Sequence, residues 1–221
     1  MEADVAARVQ RIDTAALESD LEAQGWAVLH DLLDATECDD IAALYANGAG
    51  FRSQVVMARH GFGQGEYRYF SYPLPPLVHG LRTALYPLLA PLANRWHERM
   101  GMDARFPERH DEFLAHCAAS GQSRPTPLLL QYGAGDYNCL HQDLYGEHVF
   151  PLQVAVLLSE PAKDFSGGEF VLTEQRPRMQ TRAAVVPLTQ GDAVVFAVNS
   201  RPVRGTRGDY RVKMRHGVSK I

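Results

Sequence analysis

Apolar and polar positions divide the chain into two unlike halves. Over residues 3–24, Val5, Val9, Ile12, Ala16 and Leu17 recur at helical spacing and the run stops at Gly25, which predicts a helix. Trp26–Leu29 reads as a short strand, and Asp34-Ala35-Thr36-Glu37 as the start of a helix carrying Ile41, Leu44 and Tyr45. The Gly-rich stretch from Asn47 to Gly65 predicts loop with one short strand at Gln54–Ala58, and Tyr67–Phe70 predicts another. From Pro76 to Met100, Leu77, Leu81, Leu85, Leu88, Leu89, Leu92 and Trp96 keep helical spacing, with Pro87 and Pro91 expected to kink or divide the helix. Glu108–Ala119 predicts a further helix.

After a polar, Pro-containing linker at Gly121–Pro127 the period changes. Short β-type runs follow at Leu128–Tyr132, His148–Leu158, Glu169–Leu172, Ala183–Pro187, Ala193–Ala197 and Tyr210–His216, separated by turn residues. The expectation is an α+β chain with a mainly β core, a barrel or jelly roll over 128–221 supported by a helix-rich segment over 1–127, in one domain spanning 1–221. Neither an internal repeat nor a low-complexity tract is visible.

Composition narrows the function classes without choosing one. The 221 residues are 46% apolar and 22% charged, with a formal net charge of -4 and a pI near 6.1, so no global positive field gathers nucleic acid or anionic lipid. The N-terminus lacks an apolar run of signal-peptide length and no segment approaches the ~20 apolar residues of a membrane span, which predicts a soluble, cytoplasmic protein. Cys38, Cys117 and Cys139 are too widely spaced for a disulfide framework or a Cys-x-x-Cys zinc cluster and are expected to be reduced thiols. Cys139 is expected to be a small buried side chain, although its closeness to the triplet discussed next could make it oxidisable.

The chemistry-bearing feature is His141-Gln142-Asp143 with a distant His216. Two side chains one residue apart on a strand share a face, so His141 and Asp143 can chelate one ion, with His216 as third ligand. Two histidines and one carboxylate on one face of an octahedral ion leave the other face open, as a non-haem Fe(II) oxygenase requires. The plainer alternatives are a turn histidine, a capping aspartate and a surface histidine among basic neighbours. The histidines at 30, 60, 79, 97, 110, 116 and 148 have no comparable spacing and are assigned to surface or packing roles.

The order of motifs resembles the 2-oxoglutarate- and Fe(II)-dependent dioxygenases, particularly their prolyl-hydroxylase-like and alkylation-repair-like branches. It rests on Tyr132-Gly133-Ala134-Gly135, then His141 to Asp143, Gly167 to Phe170, Gly191 to Phe196, and His216-Gly217-Val218. Gln131 to Ser219 is most similar to a group of small bacterial oxygenases labelled for oxidative repair of methylated DNA. The resemblance implies a double-stranded β-helix with N-terminal helices packed outside it. It also implies Fe(II) on His141, Asp143 and His216, with 2-oxoglutarate and O₂ as co-substrates. Tyr132 resembles the tyrosine that hydrogen-bonds the co-substrate carboxylate, against a role in core packing, with Tyr137 and Asn138 as weaker candidates. Gly167 and Gly168 are read as a strand bend.

The chain departs from its relatives at one point. In the family pattern a basic residue, usually Arg, lies about ten positions beyond the distal histidine on one more strand and grips the far carboxylate of 2-oxoglutarate. Here Ile221 is five residues after His216, so that strand and its Arg are expected to be missing, and Lys220 is the basic residue beyond His216 that could substitute. Arg201, Arg204, Arg207, Arg211, Lys213 and Arg215 crowd together against one acid, Asp209. They read either as a solvated hairpin or as an anion-binding rim beside the iron. Two functions therefore stand open. One is a dioxygenase hydroxylating or demethylating alkylated nucleic acid, a protein side chain such as proline, or a small molecule; the other is a β-helix domain that binds metal without turnover.

Overall fold

The computed structural model describes residues 2–221, with side chains from residue 4 onward. The predicted first helix is two, α1 (Glu2–Gln10) and α2 (Thr14–Gln24). Asp13 divides them: its carboxylate accepts from the backbone N–H groups of Ala15 and Ala16, capping α2. Beyond β1 (Trp26–Leu29), Asp34 and Glu37 form the reciprocal capping box that opens α3 (Ala35–Asn47). Next come β2 (Phe51–Val56), a 3₁₀ turn at Met57–His60, β3 (Gly63–Gln64) and β4 (Glu66–Phe70).

Helix α4 (Pro76–Arg99) is one continuous element, not divided at Pro87 or Pro91. Thr83, Pro87 and Pro91 lie one turn apart on its exposed side, so water can serve the carbonyls of Thr83 and Pro87 that the prolines leave without donors. Helix α5 (His110–Ala119) follows.

The remaining strands are β5 (Leu128–Gln131), β6 (Tyr137–His141), β7 (Leu152–Val156), β8 (Phe170–Gln175), β9 (Arg182–Val186), β10 (Ala193–Ala197), β11 (Ser200–Gly205) and β12 (Gly208–Val218). All pairings among the named strands are antiparallel. One sheet has the order β1-β10-β7, a second β3-β6-β12-β8-β9 with β11 also on β12, and a third β2-β4-β5. The first two face each other as a jelly roll: Leu172 and Val186 of one pack on Val194 and Phe196 of the other. Helices α1, α2 and α4 cover the outside, where Val5, Leu21, Leu89 and Trp96 join a larger core with β1 and β10. Among the described residues no strand follows β12, and β5 and β7 each carry a partner on one side only. Both line one cavity of about 1620 Å³.

One buried charge cluster joins helix to sheet. Arg201 is fully buried and donates to the backbone carbonyls of Glu22 and Ala23 at the end of α2 and to the Glu174 carboxylate at 2.5 Å. Arg176 donates to the other oxygen of Glu174 at 2.7 Å. Gly25, at φ +84°, ends α2 against this arginine, and a Cβ there would sit 2.7 Å from the Arg201 Cδ.

Burial alone would raise the Glu174 carboxyl, but the bonds from Arg201 and Arg176 outweigh it and hold the group below its ordinary 4.5. Its stabilisation is whole above that value and is lost as pH falls through the lower folded-state value. Glu174→Ala should cost about 3–5 kcal/mol at neutral pH, because it strands a buried guanidinium. Urea unfolding of both chains checks this, and the difference between them should shrink below about pH 4.

Candidate metal centre

Three strands build the centre. β12 lies between β6 and β8, which sets His216 opposite His141 on one side and opposite Leu172 on the other. The two imidazole centroids are 4.2 Å apart. Gly217 makes this closeness possible, since a Cβ there would stand 2.7 Å from the Asn138 carbonyl oxygen. His141 is the last residue of β6, so Asp143 lies beyond the strand and strand alternation does not by itself place it. Gln142 fixes the turn instead, its amide donating to the Met214 carbonyl at 2.7 Å and to the Asn199 side-chain oxygen at 2.8 Å.

His141, Asp143 and His216 each offer a ligand atom, all within 4.8 Å of one another. His141 Nε2 is 3.5 Å from one Asp143 oxygen and His216 Nε2 is 3.4 Å from the other. The His141 Nδ1 lies 2.7 Å from the Cys139 carbonyl oxygen, so Nδ1 is the donor and Nε2 is the nitrogen turned toward the carboxylate and open to a metal. The separations exceed the ~2.8 Å of a charge-assisted hydrogen bond and match two donors sharing one ion at bonds of about 2.1 Å. The residues fit a divalent metal.

The surroundings tune the set. Burial, under Phe196 at 4.7 Å and Phe170 at 6.0 Å, pulls the His216 imidazole below its ordinary value against the opposing pull of Asp143, favouring the neutral form that a ligand needs. For Asp143, burial would raise the carboxyl. The hydrogen bond and charge of His216, the charge of His141 and a hydrogen bond from Gln153 hold it low and ionised. Tyr67, Tyr69 and Tyr145 line the cavity near Asp143, and burial first and then neighbouring negative charge, including that of Asp143, keep their phenols protonated.

Of the other sequence candidates, the structure brings Tyr132 and Asn138 to the cavity wall, where the Asn138 amide donates to the Tyr132 hydroxyl at 3.3 Å. Burial pushes Tyr132 up to about 12. Tyr137 and Lys220 are not brought there: both are exposed, and Lys220 lies alongside Gly135. The basic cluster does not form a rim beside the centre. Arg201 is buried on Glu174, Arg204 pairs with Asp209 at 3.7 Å, and Arg211 donates to the Met100 carbonyl. Lys213 and Arg215 alternate with buried Val212, Met214 and His216, so they point away from the metal ligands, and Arg207 sits in the turn between β11 and β12. The three cysteines are free thiols, and Cys139 is exposed on the cavity wall, not the buried side chain expected, because it lies on β6 facing the open cavity.

Sequence reasoning missed Gln153 and the tyrosine pair of β4. Each left a signal: Gln153 is a polar residue inside an apolar strand, and Tyr67 and Tyr69 share a strand face.

A family model named Oxygenase-NA, described as an oxygenase catalysing oxidative methylation of damaged DNA, matches residues 65–221. The chain belongs to this family. Two uncharacterized proteins from two strains of Mycobacterium tuberculosis are each 50% identical over 152 residues, covering 69% of this chain. That stretch spans 65% of those relatives' length. Among solved structures, a Pseudomonas putida prolyl-4-hydroxylase superposes with a TM-score of 0.50 at 14% identity, over 94% of this chain and 98% of its own. A Trichoplax adhaerens prolyl hydroxylase in complex with a hypoxia-inducible-factor oxygen degradation domain peptide gives 0.50 at 13% identity, over 98% and 90%. These two likenesses show the fold, the jelly roll expected from the sequence. No helix of the described residues is long and apolar enough to cross a membrane.

Replacing His141, Asp143 or His216 by alanine should abolish stoichiometric Fe(II) binding in an anaerobic titration. Gln153→Ala should weaken it about tenfold through the loosened Asp143.

Proposed function

We propose that the chain is a 2-oxoglutarate- and Fe(II)-dependent dioxygenase, with alkylated nucleic acid, the substrate its family description points to, as the compound oxidised. The observation that carries this reading is the convergence of the His141 and His216 Nε2 atoms on the two oxygens of Asp143. Fe(II) held there would supply O₂ activation coupled to decarboxylation of 2-oxoglutarate. Everything else falls to the protein. Tyr132, kept protonated by burial, offers a hydroxyl donor to a carboxylate, and Asn138 holds that hydroxyl in place. Phe170 and Phe196 cover the His216 ring, while Tyr67, Tyr69 and Tyr145 face the cavity from the Asp143 side.

One observation favours a second reading, a metal-binding domain without turnover. Lys220 stands outside the cavity, and among the described residues the arginines and lysines lining it are Arg82 of α4 and Arg124 of the linker before β5. Neither belongs to the strands that carry the metal ligands.

Incubation with Fe(II), ascorbate, 2-oxoglutarate and N-methylated single-stranded DNA separates the two. The dioxygenase reading expects succinate and formaldehyde in equal amounts, lost in Asp143→Ala, and a KM for 2-oxoglutarate raised about tenfold in Tyr132→Phe. Stoichiometric iron without succinate would establish the second reading.

A further inference from the structure

Most arginines of this chain are spent on its own acids or carbonyls: Arg8 on Glu37, Arg99 on Glu22 and Asp209, Arg176 and Arg201 on Glu174. Two neighbours have no acid. Arg52 of β2 and Arg124 of the linker are both exposed and line one cleft together with Ser53, Ser71, Tyr72 and Ser123. Among the described residues neither guanidinium pairs with a carboxylate, and no acidic side chain lines the cleft. Arg52 is nonetheless held in place. Its Nε donates to the Pro125 carbonyl at 3.1 Å and its guanidinium lies 4.3 Å over the ring of Tyr69, which leaves the two terminal nitrogens for a ligand. Two guanidiniums beside three serine hydroxyls, with no counter-charge, suit a phosphate-type oxyanion.

The cleft adjoins the cavity of the metal centre. Tyr72, Ser123 and Arg124 line both. Tyr72 is 49% exposed and Arg82 donates to its hydroxyl at 3.0 Å, so an accessible aromatic face stands where the cleft opens into the cavity. Tyr69 links the same two places, packed under Arg52 on one side and facing the Asp143 end of the cavity on the other. The charge is local: residues 49–72 carry three arginines against one acid in a chain whose net charge is -4. Cations that track a backbone, set beside exposed aromatic faces, are the combination by which proteins hold single-stranded nucleic acid. A base must also leave any stack to reach an atom inside a cavity.

We propose that the cleft of Arg52 and Arg124 grips a backbone phosphate of single-stranded nucleic acid, and that Tyr72 carries the adjoining base at the entrance of the metal cavity. The substrate class rests on the dioxygenase reading above, but the binding surface is testable without it.

The experiment is fluorescence anisotropy of the metal-free full chain with a labelled, unmethylated single-stranded DNA oligonucleotide over a salt series. Binding should weaken with salt. Arg124→Gln, whose side chain has no partner to lose, should weaken it equally across sequences and reduce the log–log salt slope by about 0.7. Tyr72→Ala should weaken it about tenfold. Arg52→Lys should keep most of the affinity that Arg52→Gln loses, and unchanged thermal unfolding of Arg124→Gln guards against a folding artefact. Arg207→Gln, at the far hairpin, should behave as the parent chain. Binding unaffected by the Arg52→Gln/Arg124→Gln double variant, or equally tight to a duplex of the same sequence, overturns the proposal. Oligonucleotide binding through the cleft without succinate formation would sink the dioxygenase reading alone. Succinate formation on DNA without cleft-dependent binding would sink this inference alone.

Discussion

The candidate centre depends on one constraint, the antiparallel register that sets residue 216 opposite residue 141. Strand pairing fixes side-chain facing with a period of two, so a slip of one residue would turn His216 outward and Arg215 or Gly217 inward. Pairing of β12 on both sides prevents the slip, because Met214 and Val212 must face the core wherever His216 does. The imidazoles are thus placed by hydrophobic burial acting far from them. Asp143 is placed differently, by the amide of Gln142 reaching across to the strand that bears the other ligand.

Strong periodicity was legible in the sequence. Ala193–Ala197, apolar on both faces, is the strand its composition predicts, and the capping box at Asp34 opens its helix where the residues say it should. What failed were features decided by distant partners. The strand ending in His141 is too polar to announce itself and exists because β12 and β3 pair with it. β11 is hidden by its arginines and proline, and becomes a strand by folding back on β12. The break between α1 and α2 was visible in Asp13, but the apolar spacing on either side masked it. At the site, spacing and resemblance singled out His141, Asp143 and His216, which the fold brings together, and Tyr132, which it brings to the cavity wall. Gln153 and the β4 tyrosines could be placed only by tertiary structure.

The same limit explains the basic residues. A local count marks 201–215 as the positive segment, yet the fold consumes Arg201, Arg204 and Arg211 internally and turns the others away from the ligands. The two acid-free arginines of the cleft beside the cavity come from segments that look unremarkable in sequence, Arg52 in a Gly-flanked strand and Arg124 in a linker. Charge becomes informative only after the internal pairs have been subtracted.

Gly217 has a bearing on how genetic data on this family would be interpreted. It has no side chain to offer a metal, yet any larger residue would wedge β12 from β6 and separate the imidazoles on either side of the seam. In a screen scored by lost function it would rank beside the histidines, and an observer counting sensitive positions would infer one metal ligand too many.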